Sequence, residues 1–244
     1  MLVSIITVVY NAEKTIRRTI ESVLMQTYPD VEYIIIDGAS TDKTRIISEE
    51  YYPKFSEKGY LFKVKSEPDK GMYDALNKGA QMAHGELIGQ INGDDWYECD
   101  AIQHMVDLFY SKNYDVAWGS IRICGKKTFI KYAKIGRLWT TSHWCHPAMF
   151  STRAIILSHP YAVRNMYDDF DFITSVYLEK KKVVTTKKVI SNFTFGEGGM
   201  STKKSFADVK KRVDYCYQIY RKNKMSKLYY IQRWIVELSK YFFS

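Results

Sequence analysis

The sequence predicts an α/β protein with a mostly parallel central sheet, flanked by helices and followed by a helical C-terminal tail. Three observations predict it. Short apolar runs alternate with helix-period segments as far as Ile91, an order that argues for a parallel sheet and against a sandwich or bundle. The first runs are apolar almost throughout, as strands covered on both faces are. They also end on Asn, Gly and Asp, where ligands collect in open α/β sheets.

Leu2 to Val9 is the first strand, and the opening residues read as that strand and not as a signal peptide. Asn11 is placed to cap a helix in which Ile16, Ile20, Val23 and Leu24 share a face. Tyr28-Pro29-Asp30 ends it, and Val31 to Ile36 is a second buried strand finishing on Asp37-Gly38. A helix from Asp42 to Tyr52 and a strand from Leu61 to Val64 follow. Glu67 to Gly71 is a loop by its Pro and Gly, leading to a helix that packs through Met72, Ala75, Leu76 and Gly79 and closes at His84-Gly85. Glu86 to Ile91 is the next strand, and it stops abruptly at Asn92-Gly93-Asp94-Asp95-Trp96.

Beyond Trp96 the pattern changes. Ile102, Met105, Val106 and Phe109 mark one helix, and short strands fall at Val116 to Trp118 and Thr128 to Tyr132. Gly136 to His146 reads as a loop-rich wall of a cleft. Asp169 to Lys180 is a helix with Phe172, Ile173 and Val176 inward, and Val183 to Phe195 is further strand. No internal repeat and no low-complexity linker is present. These readings divide the chain into a first half at 1–97, a second half of the same domain at 98–202, and a tail at 203–244.

Composition narrows the classes. The 244 residues are 46% hydrophobic, with no run of about 18 apolar residues to span a bilayer. Four widely spaced cysteines (Cys99, Cys124, Cys145 and Cys216) lack paired metal-ligand spacing and read as reduced cytosolic thiols. The net charge is +9, and the stretch from Lys203 to Lys240 holds +8 of it. That tail reads as two helices joined near Lys222-Asn223-Lys224, with Tyr229, Tyr230, Trp234, Leu238, Tyr241 and Phe242 interleaved with Lys227, Arg233 and Lys240. Two readings fit it: an interfacial helix on an anionic membrane surface, or a helix packed on the domain with a solvated basic side. Nucleic acid fits less well, because no recognised motif accompanies the charge.

Paired carboxylates at a strand end are costly to bury unless a cation lies between them and a polyanion, so Asp94-Asp95 reads as a divalent metal site or as a solvated turn. A second acidic group, Asp168-Asp169-Phe170-Asp171, opens a helix, where the helix dipole alone would favour it. Asp37 either serves a ligand or stops its strand. Lys70 reaches a phosphate or is a solvated loop lysine. Tyr73, Asp74 and Asn77 shape the pocket or merely pack. Gly196 to Ser201 is a mobile lid or an ordinary turn.

The segments "SIITVVYNAEKTIRRTIESVLMQTYPDVEYIIIDGASTDKT", "SEPDKGMYDALNKGAQMAHGELIGQINGDDW", "HPAMFSTRA", "YDDFDFITSVYLEKK" and "ISNFTFGEGGMS" come in an order that resembles family 2 glycosyltransferases. These are inverting enzymes of GT-A fold that use nucleotide-sugar donors, and the resemblance covers residues 1 to about 200. It is strongest to enzymes that build bacterial surface polysaccharides. The resemblance implies donor contacts from Thr7, Val9, Tyr10, Asp37, Lys70, Asp94 and Asp95, with Tyr10 at the base pocket and Asp94 by the ribose. It implies Asp95 as the ligand of Mn2+ or Mg2+, and Asp169 as the catalytic base. Trp96, His146 and Asp168 stand as acceptor or sugar contacts, although a structural histidine is an open alternative for His146, whose neighbour Pro147 departs from the common His-Gln.

The implied function is transfer from a nucleotide-diphosphate sugar, UDP by frequency among similar enzymes, to a saccharide hydroxyl. The implied acceptor is polyprenyl-diphosphate-linked, and the implied location is cytoplasmic, at the inner face of the membrane. Two alternatives stand beside it: a catalytically silent, membrane-associated partner subunit, and a sugar-phosphate nucleotidyltransferase. The second requires a Gly-rich phosphate loop after the first strand, where this chain has Val8-Val9-Tyr10-Asn11-Ala12.

Overall fold

The computed structural model describes residues 1–136, 143–164, 167–196 and 205–243. The first half alternates strand and helix. β1 (Val3–Val9), β2 (Val31–Asp37) and β4 (Leu87–Asn92) are buried almost end to end, which is why their sequences carry so little alternation. α1 (Ile16–Leu24) and α4 (Met72–Met82) cover the sheet, and β3 (Leu61–Ser66) forms its edge. All three neighbouring pairs, β3–β2, β2–β1 and β1–β4, are parallel. Gly79 allows α4 to seat on the sheet, since a Cβ there would stand 2.5 Å from Ile6 Cγ2.

Some boundaries differ from expectation. The segment 42–52 is not one helix but two short ones, α2 (Thr44–Glu49) and α3 (Tyr52–Lys58); Pro53 suits a first turn and starts the second. Asn11 does not cap α1. It sits at φ 50°, and its side-chain oxygen accepts from Thr41 N–H at 2.9 Å, tying β1's end to the loop after β2.

The second half extends the same sheet. β5 (Trp96–Tyr97), α5 (Ala101–Lys112), β6 (Val116–Cys124) and β7 (Phe129–Lys131) come first. A 3-10 turn at His146–Ala148, β8 (Met149–Thr152), α6 (Arg153–Ser158), α7 (Asp168–Leu178) and β9 (Val183–Thr194) follow. The full order is β3-β2-β1-β4-β8-β6-β9-β5, with β7 on β6. β8 runs antiparallel between β4 and β6, and β6 pairs β9 in parallel. Strand order reverses on either side of β1, so a switch point opens between the carboxyl ends of β1 and β4, where open sheets place their ligands.

The tail forms α8 (Phe206–Lys222) and α9 (Leu228–Phe243). A capping box from Ser205 and Asp208 starts α8. The expected amphipathicity of α9 is inverted. Arg233 and Glu237, at 0% and 1% exposure, lie inside and pair at 2.7 Å, while Leu228, Ile231, Ile235 and Phe242 point outward. Arg233 is therefore a buried strut and not part of a basic outer face. No helix among the described residues is long and apolar enough to cross a membrane. Cys99, Cys124, Cys145 and Cys216 are free thiols.

Candidate active site

A cleft of about 1010 Å³ opens at the switch point. Val8 to Ala12 form one wall, at the end of β1, with Gly38 and the Asp69–Tyr73 region beside them. Asn92, Gly93 and Asp94 bring in the end of β4, and Phe193 to Gly196 the end of β9. His146 and Asp169 close the far side. Gly93 is needed for the approach of the two strand ends, because a Cβ there would lie 2.3 Å from Val9 Cγ1.

The two adjacent carboxylates separate sharply. Asp94 is half-buried and faces the cleft; burial pushes its carboxyl above the ordinary range, against the pull of Arg18. Asp95 is wholly buried. Its Oδ1 accepts from Thr194 N–H at 2.8 Å and its Oδ2 from the Asn92 amide at 3.3 Å. Burial, then the charge of Asp94, pushes its carboxyl up to about 8. Asp95 is thus held inside the turn, and of the expected pair it is Asp94 that lines the cleft. The turn is held from α1 as well. Thr19 donates to Asp95 O at 2.6 Å, and Arg18 donates to Asp94 O at 2.8 Å and to Thr194 Oγ1 at 3.0 Å. The Arg18 guanidinium lies 3.6 Å over the Trp96 ring. Trp96 thus lies beneath Arg18, outside the residues that line the cleft.

Asp169 stands at the start of α7 and lines the same cleft as Asp94. Trp144 Nε1 donates to its Oδ2 at 2.9 Å. The indole is itself fixed by stacking on Phe170, with ring centres 5.8 Å apart and planes at 9°. His146 borders the same cleft. Burial lowers its pKa, the charge of Asp169 opposing, and its Nε2 is buried with no partner among the described residues.

Asp168 points the other way. It is fully buried, accepts from Tyr215 Oη and from Arg164 N–H, and pairs with the Arg164 guanidinium at 3.5 Å. With Asp171 and Lys222 it borders a separate hollow of about 200 Å³. It joins α7 to the tail through Tyr215 and borders that hollow and not the cleft.

Three residues of the expected donor set also lie outside the cleft lining. Thr7 is buried within β1, where its hydroxyl accepts from Tyr33 Oη at 3.0 Å. Asp37 is fully buried and accepts from Ser40 and Ser66 hydroxyls, so its carboxylate braces the loop after β2, and the next residue, Gly38, reaches the cleft. Lys70 is exposed and absent from the cleft lining. Val9 and Tyr10 do line it, Tyr10 being 64% exposed at the mouth. Tyr73 lines it too, while Asp74 pairs with Lys78 and Asn77 braces the Tyr161 backbone. Of the glycine segment expected as a lid, Gly196 borders the cleft and 197–201 lie outside the described residues. Trp144 and Thr194, which orient Asp169 and fix the aspartate turn, carry no periodic or motif signal that marks them in sequence.

The cleft matches what comparisons with known proteins return. Residues 4–172 match the profile described as Glycosyl transferase family 2. Chondroitin synthase of Escherichia coli is 38% identical over 108 residues, 44% of this chain and 15% of that protein. The putative teichuronic acid biosynthesis glycosyltransferase TuaG of Bacillus subtilis is 35% identical over 112 residues, 46% of this chain and 43% of that one. Each match thus spans less than half of the relative's length. Among solved structures, S. aureus TarS 1-349 in complex with UDP-GlcNAc superposes with a TM-score of 0.74 at 19% identity, over 100% of this chain and 74% of that one. The mannosyltransferase PcManGT from Pyrobaculum calidifontis, solved with GDP-Man and Mn2+, gives 0.67 at 17% identity, over 91% and 63%. These likenesses establish the GT-A fold, and with the profile covering more than half of its length the chain belongs to glycosyl transferase family 2.

Proposed function

We propose that this chain is an inverting glycosyltransferase that moves a sugar from a nucleotide-diphosphate donor, a UDP-sugar by preference, to a saccharide hydroxyl in bacterial surface-polysaccharide synthesis. The observation that carries the reading is that Asp94, at the end of β4, and Asp169, at the start of α7, line one cleft at the switch point. Residues 1–97 supply the donor side and 98–202 the acceptor side.

Asp169 acts as base. With Oδ2 held by Trp144, Oδ1 takes the proton of the acceptor hydroxyl. The new bond forms between the acceptor oxygen and the anomeric carbon, and the bond from that carbon to the diphosphate breaks on the opposite face. The nucleotide diphosphate leaves with the electron pair, and the configuration inverts. One displacement needs no protein nucleophile.

Among the described residues no three His, Cys, Asp or Glu side chains converge as a ligand set. A hard cation that keeps phosphate and water ligands needs only one or two protein oxygens, so Asp94 fits as a ligand of Mn2+ or Mg2+. Burial penalises the Asp94 charge, and a neighbouring cation would relieve that penalty. Bound there, the cation would neutralise charge on the departing diphosphate.

The acceptor in this reading is a polyprenyl-diphosphate-linked saccharide, met at the inner face of the cytoplasmic membrane. The outward apolar row of α9 supports a contact with that surface.

The test is incubation with UDP-, GDP- and dTDP-sugars, Mn2+ and short saccharide acceptors, followed by NMR of the product's anomeric centre. Transfer with inverted configuration is expected. Retained configuration, or failure to consume any donor, would refute the reading.

A further inference from the structure

The hairpin of β6 and β7 carries a surface that the proposed chemistry does not use. From Val116 to Gly136 the chain has five Lys and Arg and no Asp or Glu. Phe129, Ile130, Tyr132 and Ile135 are exposed there, three of them by more than half, beside exposed Lys126, Lys127 and Lys134. Among the described residues β7 pairs with β6 alone, and the consecutive residues Phe129 and Ile130, which point to opposite faces of the strand, are both exposed. Lysines on an edge strand are an ordinary guard against aggregation. That guard does not account for four large apolar side chains grouped beside them, since single exposed apolar residues are normal and clusters mark contacts.

Composition selects the occupant. A saccharide is gripped by amides and carboxylates around an aromatic platform, and here Thr128 is the one neutral side chain able to hydrogen-bond in the exposed run 126–130. Aliphatic and aromatic groups interleaved with lysine match the interface of an anionic bilayer, where apolar burial and charge attraction add. The outer face of α9 repeats the composition, with Leu228, Ile231 and Ile235 exposed next to Lys224 and Lys227. Both elements reach the same pair of rings. Lys131 Nζ donates to Trp144 O at 2.9 Å, Trp144 stacks on Phe170, and the Arg233 guanidinium lies 5.9 Å from the Phe170 ring centre.

We propose that the β6–β7 hairpin is a second bilayer-contacting element. Together with α9 it seats the acceptor side of the cleft on an anionic membrane surface. The inference rests on the membrane partner assigned above for its occupant, but its observation is separate from the tail. Each element also contacts the Trp144–Phe170 pair that orients Asp169, which ties both surfaces to the acceptor side of the cleft.

The test is co-sedimentation of the full chain with phosphatidylcholine vesicles, with and without phosphatidylglycerol. Wild type should bind the anionic vesicles and release in high salt. Phe129→Ser/Tyr132→Ser and, separately, Ile231→Ser/Ile235→Ser should each lower partitioning by about tenfold or more. Lys126→Gln/Lys127→Gln/Lys134→Gln, which leaves every apolar group in place, should reduce the preference for phosphatidylglycerol severalfold, the tail lysines keeping the remainder; circular dichroism melts verify folding of each variant. If the α9 variant loses binding while both hairpin variants partition as wild type, the hairpin inference is overturned and the membrane partner stands. If wild type binds neither vesicle, both fall. If the hairpin variants alter only a monomer–dimer equilibrium in analytical ultracentrifugation, the occupant is a second copy and the inference is overturned.

Discussion

Exchanging the charge at Asp94 and at Asp95 separately gives opposite outcomes, although the residues are neighbours in sequence. Asp95→Asn replaces a buried group whose two oxygens already accept hydrogen bonds. The Asn oxygen can still accept from Thr194 N–H, so the loss is confined to the weaker bond from Asn92, at 3.3 Å. One neutral hydrogen bond is worth about 0.5–1.5 kcal/mol, which in a domain of this size lowers Tm by roughly 1–6 °C. Donor affinity should stay within about threefold, because the side chain is sealed from the cleft. Asp94→Asn makes the reverse trade. It relieves a buried charge and costs little stability, yet it removes the carboxylate facing the cleft. Losing an outer-shell partner of a metal costs about 10–100-fold in affinity, and a direct ligand should cost at least as much. The assay is calorimetric titration of UDP with and without Mn2+, alongside thermal melts. Metal-linked binding lost in Asp95→Asn and kept in Asp94→Asn would refute the assignment of the two carboxylates.

Trp144→Phe keeps the stack on Phe170 but deletes the N–H held by Asp169 at 2.9 Å. A hydrogen bond to a charged group is worth about 1.5–3 kcal/mol, so kcat should fall by about tenfold to a hundredfold with donor KM unchanged. Steady-state kinetics check this. Arg233→Ala strands Glu237, 1% exposed, with Arg212 as its remaining cationic partner at 2.9 Å. Breaking a buried pair from one side costs about 3–5 kcal/mol, so the melt should drop by several degrees, and less in Arg233→Met/Glu237→Leu. Glu32 is fully buried, and although burial opposes its charge, hydrogen bonds from Ser4 and from the His84 backbone and ring hold its carboxyl below the ordinary value of 4.5. Its folded pKa is the lower one, so its contribution is present above pH 4.5 and is lost as pH falls through the folded value. Urea midpoints across that window should decline more steeply for wild type than for Glu32→Gln.

The donor half was legible because its physics is local. Strands covered on both faces must be apolar throughout, and Val3–Val9 and Val31–Asp37 are. The helix with Ile16, Ile20 and Val23 buried declared itself by period. β8 was hidden because four residues give no period, and its place depends on partners 61 to 65 positions earlier in β4. At Asp94-Asp95 a strand passes into a turn, and sequence does not say which carboxylate the turn sends inward. Tertiary contacts from Thr194, a hundred residues away, decide it. At Asp168-Asp169-Phe170-Asp171 the signal was present: positions three apart share a helix face, so Asp168 and Asp171 face the tail together and Asp169 is left for the cleft. The inverted face of α9 was not legible, because a lone Arg among aromatics reads as snorkelling to water until Glu237 and Arg212 are seen beside it.

The most direct measurement is transfer by Asp169→Asn with donor binding measured on the same preparation. If Asp169 strips the proton from the acceptor hydroxyl, the variant binds nucleotide sugar and Mn2+ as wild type does and transfers at least about a hundredfold more slowly. Transfer at the wild-type rate with normal donor binding would contradict the account, because Asp169 is the carboxylate that α7 brings to the cleft and the account gives the proton to it alone.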